Sequence, residues 1–181
     1  VEIQRLGSDS INKPTRLPKI EQVKGKVSVI ITNFNTEKYV THAIDSVINQ
    51  TYQNVEILVI DDNSTDDSIS VLSKYSEVDK VHVYRSPKNV GPYWLKNYLL
   101  SKLNGEFVTV LDSDDIDLPT KLEEQVAELT KDPNIQCVTC SYQRYGGATP
   151  SLGWPAMMYR RSVFDKIGYY DSVRFAADSE F

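Results

Sequence analysis

An α/β fold with a mainly parallel sheet flanked by helices follows from three observations. Short β-branched runs recur along the 181 residues, segments with helically spaced apolar residues separate them, and polar clusters close three of the runs. Strands that alternate with helices pair in parallel, because a parallel neighbour is reached through a crossover. Residues 1–25 are polar, hold Pro14 and Pro18 and show no period, so they read as a linker or arm, and the domain runs from Lys26 to 181. "VSVII" at 27–31 is the first strand, and Tyr39, Val40, Ala43, Ile44, Val47 and Ile48 mark the apolar stripe of a helix. "VEILVI" at 55–60 follows, with Asn63, Ser64 and Thr65 as capping residues for a second helix.

"VHVY" at 81–84 is a third strand, and Pro92 opens a helix with Trp94, Leu95, Tyr98 and Leu99 on one face. "FVTVL" at 107–111 is the fourth. Pro119 then starts a helix with Leu122, Val126 and Leu129, and "IQCVTC" supplies another strand. "GGATP" and "LGWP" are loop signals, "AMMYRR" reads as a strand, and "SVFDKIG" reads as a short helix stopped by Gly168.

A composition of 40% hydrophobic and 25% charged residues is that of a globular domain. The net charge of -5 is uneven: residues 1–26 carry six Lys/Arg against three Asp/Glu, so the remaining body is strongly acidic. An acidic body argues against a nucleic-acid surface and requires that an anionic substrate be received through a metal or a few local cations. No apolar run approaches the roughly 18 residues of a membrane span. Cys137 and Cys140 stand three apart in a predicted strand with no second pair, which reads as two buried, unpaired thiols in a reducing compartment rather than a zinc site. His42 and His82 have no partner at ligand spacing and read as structural or exposed, and Tyr39, Tyr98, Tyr169, Tyr170, Trp154, Met157 and Met158 read as core. The chain opens without Met and stops at "DSEF", so the expectation is a fragment of a longer protein.

The chemistry concentrates in "GEFVTVLDSDDIDLP" at 105–119, where a strand runs into Asp112, Asp114, Asp115 and Asp117. In extended backbone Asp112 and Asp114 share a face about 7 Å apart at Cα, with Ser113 turned aside, and such a pair suits one hard divalent cation. A calcium loop is excluded, because Ile116 and Asp117 stand where a ligand and the turn glycine belong. Ligands of open α/β sheets bind beyond the carboxyl ends of the strands, where strand order reverses. Thr32–Asn35, Asp61–Ser64 and Asp112–Asp115 all sit at such ends.

In that order, "VSVIITNFN", "VEILVIDDNSTDDS", "NVGPYWLKN", "LDSDD" and the closing "MMYRRSVFDKIGYYD…FAADSEF" resemble the family 2 glycosyltransferases, from about residue 27 to the last. The resemblance implies a Rossmann-like GT-A fold, a UDP-sugar donor, Mn2+ or Mg2+, and inversion at the anomeric carbon. By position it implies that Thr32, Phe34 and Asn35 line the nucleotide end and that Asp62 accepts from the uracil N–H. Lys96 would reach the nucleotide or the Asp cluster, and Asp112 and Ser113 would approach the donor, with Asp112 near ribose or metal. Asp114 would ligate the metal, and Asp178 would be the general base. The implied acceptor is a carbohydrate or glycolipid, in bacterial polysaccharide or glycolipid synthesis. The implied location is cytoplasmic, with at most peripheral contact at the inner membrane face. A sugar nucleotidyltransferase is the competing enzyme reading, but it calls for a Gly-rich loop after the first strand, and "TNFNTEKY" has no glycine. An inactive nucleotide-sugar-binding module is the other alternative.

Overall fold

The β-branched runs and the helical stripes between them assemble into one sheet with helices on both sides. The computed structural model describes residues 4–5, 18–144, 146, 151–152 and 157–170. Strands β1 (Gln4–Arg5), β2 (Val23–Asn33), β3 (Val55–Asp61), β4 (Val81–Arg85) and β5 (Gly105–Asp112) run parallel. Helices α1 (Val40–Ile48), α2 (Ser68–Ser73) and α3 (Pro92–Leu100) connect them, and α4 (Lys121–Lys131) follows β5. Beyond α4 come β6 (Cys137–Val138), β7 (Ser141–Tyr142), β8 (Ser151–Leu152), β9 (Met158–Arg160) and α5 (Ser162–Ile167). The main sheet has the order β1-β4-β3-β2-β5-β9-β6, with β9 antiparallel to both neighbours, while β7 and β8 pair separately.

Alternation along β2 decides which helix packs where. Val27, Val29 and Ile31 point to the face covered by α1, α2 and α4, whereas Ile30 points to the face covered by α3 and α5. All seven residues of β3 are buried, as a parallel strand covered on both faces requires. Pro92 stands at the first turn of α3 after Gly91 at φ 91°, and Gly168 at φ 89° ends α5.

Several elements depart from the sequence reading. The first strand begins at Val23, and Gln4–Arg5 lie beside β4. Tyr39 precedes α1 and is 55% exposed instead of packing in its stripe. The cap of α2 is Asp67, because Ser64 is taken up by Asp61. On α3 the buried residues are Tyr93, Leu95, Asn97, Leu99 and Leu100, while Trp94 and Tyr98 stack on each other at 6.0 Å, half-buried. The "IQCVTC" strand shrinks to Cys137–Val138 at the sheet edge, so Cys137 is exposed and Cys140 half-buried, and neither forms a disulfide among the described residues. Met158 is fully buried; Trp154 lies outside the described residues. Among the described residues no helix is long and apolar enough to cross a membrane.

At the amino ends of the parallel strands Glu56 is buried and accepts from Ser28 Oγ, from Lys26 Nζ at 2.9 Å and from the Asn104 amide at 2.9 Å. Gly105 closes against this cluster, where a Cβ would stand 2.8 Å from both the Lys26 carbonyl and the Ser28 amide. Burial alone would raise the Glu56 carboxyl, but these donors hold it below its ordinary value. A depressed folded value means that the stabilisation is complete above the ordinary carboxylate range and is lost as pH falls through the folded value. Glu56→Leu is expected to lower unfolding free energy by about 2–3 kcal/mol and to flatten the acid limb of stability against pH. Urea titrations between neutral and acid pH check this, and an unchanged acid limb in the variant contradicts it.

Candidate active site

The register of β2 places three strand ends side by side: Thr32 is level with Ile60 of β3 and Asp112 of β5, and Asn33 with Asp61. From β2 the chain runs outward through β3 and β4, then returns to the other side of β2 as β5, so strand order reverses between β2 and β5. A cleft of about 210 Å³ opens at this reversal, where ligands of doubly wound sheets bind. Thr32, Asn33 and Phe34 line it from β2, Asp62 from β3, Pro92 and Leu95 from α3, and Asp112, Ser113 and Asp114 from β5.

Each side chain is held by identifiable contacts. Asp62 is 3% exposed, and its two oxygens accept from the Val90 and Gly91 amides at 2.8 Å each, which ties the end of β3 to the entry of α3. Phe34, 46% exposed, presents its ring at the mouth. Asn35 adopts φ 54°, tolerated by Asn; its amide donates to Ser64 Oγ at 2.9 Å and its Oδ1 accepts from the Thr65 amide at 2.8 Å. Asn35 therefore braces the cleft without lining it. Lys96 also lies outside the lining, with Nζ 4.9 Å from the centre of the Tyr93 ring. Asp178 lies outside the described residues.

The acidic segment divides into parts with different work. Its strand ends at Asp112, and a turn closed by the Asp115 amide on the Asp112 carbonyl at 3.0 Å carries Ser113 and Asp114. The extended geometry read from the sequence therefore fails: the turn, not strand alternation, brings Asp112 and Asp114 to one cleft, and Ser113 lines it with them. Asp117 is buried and paired with Lys121 Nζ at 2.9 Å, one helical turn on. Burial, followed by the Asp112, Asp114 and Asp117 carboxylates, pushes the Asp115 carboxyl above its ordinary value, while Lys121 opposes.

That excess of negative charge is the structural test of a cation, and the donors fit. Two hard carboxylates on one turn, open to the cleft, match how Mg2+-like ions are bound by one or two carboxylates plus substrate phosphates. Among the described residues no three His, Cys, Asp or Glu side chains group as an all-protein cage.

Asn33 was not singled out for a role of its own, although a buried asparagine ending an apolar strand was the available signal. Pro92 and Leu95, a helix start and an apolar helix face in the sequence, also line the cleft, a position set by the packing of α3 on β2 and β3 that has no local signature.

A doubly wound sheet with its cleft at the reversal and a carboxylate turn on β5 defines the GT-A class. The chain belongs to glycosyl transferase family 2, whose model matches residues 28–170. An uncharacterized glycosyltransferase of Haemophilus influenzae is 42% identical over 101 residues, covering 55% of this chain and 40% of that protein. Glycosyltransferase GlyG of Streptococcus pneumoniae is 32% identical over 120 residues, covering 66% and 40%. The chain thus spans about two-fifths of the length of these relatives. Among solved structures, S. aureus TarS (residues 1–349) in complex with UDP superposes with a TM-score of 0.75 at 25% identity, over 84% of this chain and 52% of that one. The mannosyltransferase PcManGT of Pyrobaculum calidifontis, in complex with GDP-Man and Mn2+, gives 0.73 over 94% and 55%; at 22% identity this likeness concerns the fold alone.

Proposed function

We propose that this domain transfers a sugar from a UDP-sugar to an acceptor hydroxyl with inversion, using a divalent cation. The observation that carries the reading is a single cleft with a buried carboxylate, Asp62, from one strand end and the Asp112–Asp114 turn from another. A nucleoside diphosphate needs both: an acceptor for its base N–H and charge compensation for its phosphates. Binding of UDP and UDP-GlcNAc by TarS supports the choice of uridine.

In this reading Phe34 covers the base, the Asp62 carboxylate accepts the uracil N–H, and Asn35 keeps both loops in register. Thr32 and Asp112 face the ribose, and Lys96 reaches toward the diphosphate by leaving the Tyr93 ring. Asp112 and Asp114 would hold Mn2+ or Mg2+, which when bound stabilises the charge on the departing diphosphate. Asp178 takes the acceptor proton as the hydroxyl oxygen bonds to the anomeric carbon and the bond to the diphosphate oxygen breaks. Attack opposite the leaving group inverts that centre. The acceptor is a carbohydrate or glycolipid, in bacterial polysaccharide or glycolipid synthesis at the cytoplasmic membrane face.

The test is release of UDP across a panel of nucleotide sugars, with Mn2+ and with EDTA, with and without candidate acceptors. One donor should be turned over with Mn2+ and not with EDTA. Binding without turnover of any donor would leave only the inert module, and pyrophosphate formation from UTP and a sugar phosphate would identify a nucleotidyltransferase.

A further inference from the structure

The turn that carries Asp112 and Asp114 is anchored through a chain of hydrogen bonds that starts at a fully buried carboxylate. Asp61 is 0% exposed and accepts from the Asn33 side-chain amide at 2.8 Å. A carboxylate only accepts, so Asn33 turns Nδ2 toward Asp61 and Oδ1 away. Thr36 Oγ1 bonds that Oδ1 at 2.5 Å and Ser113 Oγ at 2.9 Å. Thr36 has one hydroxyl proton and Asn33 Oδ1 has none, so the Thr36 proton goes to Asn33 and Ser113 must give its own proton to Thr36. Every donor in the chain therefore points toward Asp61.

We infer that this Asp61–Asn33–Thr36–Ser113 chain is a positioning device that sets the cation affinity of the site, with Thr36 as its central residue. Thr36 does not line the cleft. Its carbonyl receives the Tyr39 and Val40 amides at 2.9 and 3.0 Å, which fixes it to the foot of α1. Ser113 is the second residue of the turn closed between Asp112 and Asp115, so pinning its side chain sets the directions of both neighbouring carboxylates. Asn33 and Ser113 are 1% and 5% exposed, so water cannot take over a lost bond without the turn moving.

This inference rests on the reading of the cleft as a cation–diphosphate site. The test is calorimetric titration of Mn2+ at saturating UDP, with UDP in EDTA and thermal midpoint measured beside it. Thr36→Val, which keeps shape and removes the hydroxyl, should raise the half-saturating Mn2+ concentration about tenfold to a hundredfold, the usual span for a residue behind a metal ligand. Affinity for UDP in EDTA should stay within about twofold, and Thr36→Ser should restore the wild-type Mn2+ value. Ser113→Ala should show the same loss, and the double variant Thr36→Val/Ser113→Ala no more than either, because both cut one chain. Wild-type Mn2+ affinity in Thr36→Val overturns the inference, as does an equal loss with and without Mn2+. Should Thr36→Val not fold, an unaltered Mn2+ affinity in Ser113→Ala overturns it instead. Wild-type protein that takes up UDP equally in Mn2+ and EDTA refutes the cation reading itself and removes the inference with it.

Discussion

Asp114→Asn is expected to reduce sugar transfer by about 10³-fold or more, equivalent to about 4 kcal/mol of lost transition-state stabilisation. The substitution keeps the size of the side chain and removes its charge. Asp114 is exposed at the cleft, has no salt bridge among the described residues, and adds to the repulsion that raises Asp115. Stability should therefore not fall, and the thermal midpoint should match or slightly exceed wild type. The Asp115 carboxyl should return toward its ordinary value, since one of the three charges that raise it is gone. Carboxyl-carbon NMR reads that titration directly, while calorimetry reads the loss of Mn2+-dependent UDP uptake. A variant that retains Mn2+-dependent UDP binding at wild-type affinity would show that Asp114 does not hold the cation.

Asp178→Asn should separate binding from chemistry. Removing a general base costs about 10²–10⁴-fold in rate, whereas the donor contacts proposed above lie on β2, β3, α3 and β5. Transfer should fall within that range while Mn2+-dependent UDP affinity stays within about twofold. The chain on the way to this residue is fastened at Tyr170, whose carbonyl accepts from the buried Asn97 of α3 at 2.7 Å and whose ring lies 6.0 Å from Tyr93. The helix that lines the cleft with Pro92 and Leu95 thus also holds Tyr170. Stopped-flow or steady-state transfer with a working acceptor measures the effect, and wild-type rates in the pure variant remove Asp178 from the mechanism.

The legible part of this molecule is local. Runs such as "VEILVI" read as buried parallel strands because both faces are covered and every position is apolar or internally paired. Helix α3 read correctly at its start, where Pro92 stands, and at its face only in part, because Trp94 and Tyr98 stack on each other half-buried against the core while Tyr93 and Leu100 are buried within it. The two cysteines were misplaced for a related reason: a β-branched stretch at the edge of a sheet pairs for only two residues. In the acidic segment, counting carboxylates overstated the unpaired charge, since Asp117 has its own cation in Lys121.

Strand and helix periods, the glycine and proline punctuation, and the three polar strand ends were set by the sequence, because each depends on neighbours within a turn or a pleat. Folding in three dimensions alone decided that β5 returns beside β2, that Asp62 is held by the amides before α3, and that Thr36 meets Ser113 from 77 positions away. Those contacts join residues distant in the chain, and their geometry follows from strand order and packing, which no local pattern encodes.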